Sequence, residues 1–147
     1  MLVTGEQAWI CDYLTWRNTT CEHPDVCQTF GWLKDDCLVG ALAFHHANER
    51  NIYCDIALEE GRFPRKLLHV GLWYAFGQLK CRRLTFFVSA DNLKSIALVK
   101  KLGAYREATL QDGSSSGEAY IYCLRPENCL IWSKLNGQVK RKSSPGT

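Results

Sequence analysis

No run of apolar residues in this chain is long enough to span a bilayer, and the N-terminal stretch has no basic region followed by an apolar one. A spanning helix takes roughly 20 apolar residues in a row, so neither a transmembrane helix nor a signal peptide is expected. Charge of one sign is also scarce. The formal net charge is +3, with the positive excess near residues 62–66, near 80–83 and in Lys140-Arg141-Lys142. A nucleic-acid interface calls for a denser basic patch and a recognisable motif, so nucleic acid and membrane are not the expected partners. An anionic small ligand or a solvated surface accounts for the charges better. No internal repeat is visible.

A disulfide framework is missing too. The chain has eight cysteines, but Cys11, Cys54, Cys81 and Cys123 fall inside expected strands and helices, without framework spacing. Free, mostly buried thiols in a reducing cytosol are therefore expected. Cys21-Glu22-His23 with Cys27 is the one cluster that suggests zinc. A structural zinc site wants four ligands at paired spacing, and a fourth such as Cys37 would have to arrive by folding. No metal is expected. What is present is enough for one domain: 147 residues, 46% of them hydrophobic, can enclose a real core. Residues 1–136 read as that domain, and 137–147 as a disordered basic tail.

Thr4-Gly5-Glu6-Gln7 can start a helix with Thr4 as its cap, and Trp9, Ile10, Tyr13 and Leu14 give it an apolar stripe. Residues 18–25 are polar, contain Pro24 and read as a loop. Residues 29–34 and 37–44 are strand candidates joined by Asp35-Asp36, an antiparallel hairpin. Residues 45–51 turn, and 51–58 make a third strand. Glu59-Glu60-Gly61 breaks it. Pro64 suits a first helical turn, and Leu67, Leu68, Leu72, Ala75, Phe76 and Leu79 then form the strongest amphipathic helix. Strand, helix and strand in this order make a crossover between parallel strands.

The stretch CRRLTFFVSADNLKSIALVKKLGAYREATL, residues 81–110, organises the rest. Residues 84–88 are β-branched and aromatic. Asp91 or Asn92 can cap a helix whose buried face is Ile96, Val99 and Leu102, and Gly103 supplies its left-handed end. Residues 105–110 alternate as a strand, 111–117 read as a flexible turn, and 118–124 close with a last strand, Tyr120 and Tyr122 on one side. Residues 128–135 read as a terminal segment packed by Leu130 and Trp132. The architecture is α+β, a mixed sheet with helices on it.

The string NLKSIALVKKLGA, followed by a strand carrying Arg106-Glu107, resembles the second half of a Gcn5-related N-acetyltransferase (GNAT) over roughly residues 39–124. It is nearest the branch that acetylates protein N-termini and small amines, and the short N-terminus and compact loop resemble small members encoded by phages. The resemblance implies the GNAT fold with a short or missing first strand, acetyl-coenzyme A as co-substrate, and an amine-bearing acceptor, protein or small molecule, in the cytoplasm, that of the host cell if phage-encoded. It also implies a second possibility, a catalytically degenerate member serving as an interaction or virion-assembly protein, with a homodimer or a phage structural protein as partner.

Residue by residue, the resemblance implies that the pyrophosphate sits at Gly61-Arg62-Phe63-Pro64-Arg65-Lys66, at the start of the central helix. The family's glycine pattern is replaced there, so Arg62, Arg65 and Lys66 would supply charge instead. A solvated basic first turn is the plainer reading, although cations at a helix N-terminus are unfavourable. The backbone of Ile56, Ala57 and Leu58 would pair with pantetheine where this strand splays from residues 84–88. Asn92 would contact pantetheine or merely cap its helix. Many members protonate the leaving thiolate with a Tyr where this chain has Val99; the N-terminal-acetylating branch uses a Ser at the position of Ser95. An ammonium, with a reference pKa of about 10.4, must lose a proton before attack. Asp55 is the preferred base. Glu59, Glu60, His45 and His46 are alternatives, although two adjacent strand histidines should face opposite ways.

Overall fold

Among the described residues of the computed structural model, seven strands form one mixed sheet, in the order β1-β2-β3-β4-β5-β7-β6. The structure describes residues 1–18, 27–59 and 63–134. The strands are β1 Leu2–Thr4, β2 Gln28–Lys34, β3 Cys37–His45, β4 Asn51–Leu58, β5 Arg83–Ser89, β6 Tyr105–Ser114 and β7 Gly117–Leu124. The helices are α1 Gln7–Asn18, α2 Arg65–Leu72 and α3 Leu93–Leu102, with α4 over 130–134. The expected α+β mixed sheet with a short first strand is what forms: β1 has three residues and pairs antiparallel with β2. Among the described residues no helix is long and apolar enough to cross a membrane. The loop expected before β2 and the basic tail lie outside the described residues.

Alternation along the strands sorts the side chains into two layers. Leu42, Phe44, Ile52, Cys54, Ile56, Leu84 and Phe86 join the core under α2 and α3. Ala41, Ala43 and Ala57, from the same strands, join the smaller core under α1, with Ile10 and Leu14. The predicted α1 stripe is therefore partly right. Ile10 and Leu14 are fully buried, but Trp9 is 43% exposed, because α1 packs on β2, β3 and β4 alone among the strands with several contacts to it. Its expected cap, Thr4, belongs to β1, opposite Phe30. The chain turns at Gly5, and Ile10 N–H donates to the Glu6 carbonyl, so the helix is entered two residues later than predicted.

The β2–β3 hairpin turns on Asp35 and Asp36, both with positive φ (52° and 62°). This is the backbone a two-residue hairpin wants, because it matches the twist of the flanking strands. The β6–β7 turn is tighter than the sequence suggested: Ser114 already pairs with Gly117, after an irregularity between Leu110 and Ser114.

The long helix is not α-helical throughout. From Trp73 to Gln78 it widens to a π-helix, with Leu79 N–H donating to the Tyr74 carbonyl at 2.9 Å. Its buried residues explain the widening. They recur every four positions, as Leu67-Leu68, Gly71-Leu72 and Ala75-Phe76. A spacing of four drifts by about 40° per repeat in an α-helix of 3.6 residues per turn, and wider turns offset the drift. Gly71 allows the close approach to the sheet, since a Cβ there would stand 2.5 Å from Leu42 Cδ1. Pro64 occupies the N-cap rather than the first helical turn, with φ −61° and ψ 126°.

The C-terminal segment seats on α3. Cys129 is fully buried and the Trp132 ring meets Phe76 at 5.8 Å, whereas Leu130, expected to pack, is 63% exposed. Gly103 makes this seat possible: its φ is +110°, and a Cβ would lie 2.1 Å from the Asn128 carbonyl oxygen. Gly103→Ala is therefore expected to destabilise the protein by about 2–4 kcal/mol. Urea denaturation of the two proteins tests this, and an unchanged midpoint would contradict the close approach.

Candidate active site: a cleft where two parallel strands part

β4 and β5 run parallel but pair over three positions only, Asn51–Arg83, Ile52–Leu84 and Tyr53–Thr85. Past Tyr53 and Thr85 the strands separate. β5 stays paired with β7 from Leu84 to Ser89, and β4 stays paired with β3. The separation therefore leaves an edge of β4, residues 54–58, facing a gap.

A polar brace holds the closed part on the α1 face. Thr85 Oγ1 donates to Asn51 Oδ1 across the strands, Arg83 Nε donates to Thr85 Oγ1 at 3.2 Å, and the Arg83 guanidinium grips Glu107 of β6 with two bonds of 2.9 and 3.1 Å. The bidentate pair holds the Glu107 carboxyl below the usual carboxylate range. On the other face α3 sits over the gap. Asn92 caps it, its Oδ1 accepting from Ser95 N–H at 3.2 Å. Ser95 is 7% exposed, and its hydroxyl donates to the Ile56 carbonyl at 3.4 Å.

The gap opens in three connected stages. At its deep end a slot of about 10 Å³, room for one water, is lined by Asp55, Ile56, Ser89, Asn92 and Ser95 with neighbours from both strands. It continues through a space of about 100 Å³ bordered by Ala57, Leu58, Glu59, Asn92 and Ser95. It then widens to a groove of about 530 Å³ between α2 and α3, floored by Leu58, Phe63, Leu68, Leu98 and Leu102 and edged by three cations, Arg65, Lys94 and Lys101, and one carboxylate, Glu59. An apolar floor with cations along the rim suits an elongated ligand with an anionic group.

The sequence-predicted residues separate accordingly. Asp55, Ile56, Asn92 and Ser95 meet at the deep end, and Ala57 and Leu58 flank the middle. Phe63 is 8% exposed and belongs to the core while it touches the groove. Arg65 lines the groove; Lys66 is exposed and is not among its lining residues. Gly61 and Arg62, and the alternative base Glu60, lie outside the described residues. At the start of α2, Leu67 and Leu68 N–H both donate to the Pro64 carbonyl, which leaves the N–H groups of Arg65 and Lys66 ahead of the first helical bond. Sequence reasoning missed Lys94 and Lys101. Their spacing of seven, with Leu98 between them, marks one helical face and could have found them.

Asp55 is 4% exposed and faces the α1 side, with His45 Nε2 of β3 at 3.2 Å from its Oδ2. The two histidines do not point apart as predicted. His46 has φ +52°, so the chain leaves the strand there and its ring returns to His45, centroid to centroid 4.8 Å. At the far side of the slot, Ser89 donates to Asp91 at 2.6 Å and meets Ser114 and Ser116 of the β6–β7 turn. The Ser89 and Ser116 hydroxyls hold the Asp91 carboxyl below its ordinary range. Glu59 accepts from Tyr13 of α1 at 3.2 Å. Among the described residues no three His, Cys, Asp or Glu side chains converge as a metal site; Cys21, Glu22 and His23 lie outside them.

No protein-family model matches the sequence, and no curated protein matches it. Solved structures do match the fold. A mutant of the spermidine N-acetyltransferase of Vibrio cholerae is similar with a TM-score of 0.68 and 16% identity, over 90% of this chain and 99% of that one. An IAA acetyltransferase of Bacillus cereus is similar with a TM-score of 0.65 and 12% identity, over 85% of this chain and 98% of that one. At such identities the likeness is one of fold, and the fold is that of the GNAT acetyltransferases.

The slot makes one prediction independent of any ligand. Burial, and after it the charge on Asp55, push the Cys54 thiol well above its ordinary value, so it stays protonated and unreactive. Iodoacetamide should label exposed Cys37 in the native protein and Cys54 only after unfolding. Mass spectrometry of the alkylated peptides reads this out, and native labelling of Cys54 at the rate of Cys37 would contradict a closed floor.

Proposed function

We propose that the protein is an N-acetyltransferase that moves an acetyl group from acetyl-coenzyme A to a primary amine. The observation that carries this reading is the early end of β4–β5 pairing, with an opening that widens into a cation-edged groove. Pantetheine is a thin chain with two amides, and an exposed strand edge can hydrogen-bond such groups. Ile56, Ala57 and Leu58 would supply that edge, and Asn92 would add a side-chain contact. The diphosphate would meet Arg65, the first-turn N–H groups of α2 and the positive end of its dipole. Phe63 would pack beside it, with Arg62 and Lys66 adding charge. The thioester would then reach the deep slot, where Asp55 and Ser95 stand.

Two roles follow from that placement. Asp55 would accept the proton that the ammonium must lose before its nitrogen attacks. Ser95 would release the Ile56 carbonyl and donate its hydroxyl hydrogen to the departing thiolate, a role open because Val99, where many family members carry Tyr, is fully buried. The acceptor would be a protein N-terminus or a small amine, as in the N-terminal-acetylating branch, and the setting the cytoplasm, that of the host cell if the chain is one of the small phage-encoded forms. A second reading rests on the same Val99 and on the Ser95 bond to Ile56: the cleft would then be a vestige, and the domain an assembly or interaction protein, as a homodimer or on a phage structural partner.

Acetyl-coenzyme A at 100 times its Kd should stabilise the protein by about 2.7 kcal/mol, seen as a rise in Tm. Mixed with spermidine or with short peptides bearing a free N-terminus, the protein should release free thiol from acetyl-coenzyme A. No Tm shift at saturating ligand favours the assembly reading. Ser95→Ala should lower kcat about a hundredfold with the Tm response kept, and unchanged turnover removes Ser95 from the reaction. Arg65→Glu should weaken binding and flatten its salt dependence, and wild-type affinity would make Arg65 a surface charge only.

A further inference from the structure

We propose that His45 and His46 form a proton relay between Asp55 in the cleft and solvent. The inference rests on the acetyl-transfer reading above and adds to it the route by which the proton leaves. Transfer from acetyl-coenzyme A to an ammonium forms one C–N bond, breaks one C–S bond and yields amide, free thiol and one proton. That proton must leave for each turnover, or the base stays neutral and the next ammonium cannot be deprotonated. Asp55 lines the slot but is 4% exposed, so its own exchange with bulk water is restricted.

The geometry on the α1 face supplies a path. His45 Nε2 stands 3.2 Å from Asp55 Oδ2, and His45 is 16% exposed. Its other nitrogen, Nδ1, is hydrogen-bonded to Nδ1 of His46, whose ring is exposed. The His45 ring is held in place by stacking on Tyr53, centroids 5.7 Å apart and planes 14° apart. His46 reaches it only because the residue adopts φ +52°, a left-handed backbone that costs a non-glycine residue energy. An unfavourable backbone angle that brings two imidazoles nitrogen to nitrogen, beside a buried acid, is what points to a relay. A β-strand would otherwise have sent the second ring to the opposite face.

The steps balance. In the form that carries the extra proton, Asp55 is a neutral carboxyl that donates to His45 Nε2 once a small rotation aligns the two groups, which stand 3.2 Å apart but outside hydrogen-bond geometry. His45 donates from Nδ1 to His46 Nδ1, and His46 keeps its own proton on Nε2. Moving each proton one place outward leaves Asp55 ionised, His45 protonated on Nε2 and His46 protonated on Nδ1, with one proton delivered to water. An imidazole does this readily because its two nitrogens exchange donor and acceptor roles. Of the titratable groups around the relay, Tyr53 stacks on His45, and Cys54, next to Asp55 on β4, has its thiol pushed up by burial and by that carboxylate.

The test uses the whole protein with acetyl-coenzyme A and an amine that releases thiol in the panel above. His46→Asn keeps a residue that tolerates the left-handed angle. It should lower kcat in dilute buffer, leave the acetyl-coenzyme A Tm response intact, and regain turnover as free imidazole is added. His45→Gln should lower kcat about a hundredfold with the same Tm response. A merely structural role would not be restored by imidazole, so a loss that imidazole does not restore overturns the relay. Wild-type kcat in both variants overturns it too, while the acetyl-transfer reading stands. An absent Tm shift and absent thiol release in the wild-type protein remove that reading and the relay together.

Discussion

Everything at the candidate site depends on where the pairing of β4 and β5 stops. A parallel pair in the middle of a sheet normally continues until one strand ends, because each unpaired backbone group inside a protein costs free energy. Here it ends after Tyr53 and Thr85, with five residues of β4 still to come. Two constraints on opposite faces hold that arrangement. The Arg83–Thr85–Asn51 brace locks the closed part, with Glu107 tying it to the sheet's far edge. Past it, α3 lowers Ser95 onto the Ile56 carbonyl. The backbone that β5 abandons is thus partly satisfied by a side chain, and this strand edge borders the space that a ligand able to hydrogen-bond like a strand would enter.

That division also explains the placement of charge. The cations Arg65, Lys94 and Lys101 stand where the groove is widest, on two helices separated by an apolar floor. The buried acid Asp55 stands where it is narrowest, while Glu59, bonded to Tyr13, borders the wide end among the cations. Charge at the wide end stays hydrated and can attract an anion from solution at little desolvation cost. A carboxylate at the narrow end is costly to bury and needs a compensating partner, which His45 supplies at ion-pair distance. The α2 N-terminus, with no acidic residue in its first turn, adds to the positive end of this gradient.

Much of the scaffold was legible in the residues, because local signals and tertiary packing agree there. β4 was read to the residue from its apolar pattern, and α3 from Asn92 at its start and Gly103 at its end. The junction of Asp55, Ile56, Asn92 and Ser95 was legible through the family resemblance, not through spacing, since 37 positions separate Asp55 from Asn92. What was not legible depends on partners distant in sequence. Trp9 lies on the same stripe as Ile10, but α1 covers too few strands to bury it. Leu130 looks like a packing residue, yet the close approach of Asn128 to Gly103 turns Cys129 inward in its place. The π turns of the long helix were visible in principle as a spacing of four in the buried pairs. That spacing does not stand out against the 3.6-residue period by which a helix is ordinarily judged.

The histidine pair shows how a single backbone angle can change the chemistry. Asp55 and Ile56 are neighbours in sequence, yet alternation sends the first toward α1 and the second toward α3. The proposed cofactor contacts and the proposed proton path therefore occupy opposite faces of one strand, and the gap beside β4 is where they meet. Regular continuation of β3 would have placed His45 on the proton side and its neighbour among the apolar side chains under α2. The left-handed turn at His46 moves that second ring onto the proton side, at the surface. A strand that ended one residue later would keep the same sequence and the same core, but Asp55 would have one imidazole beside it and no second ring leading to water.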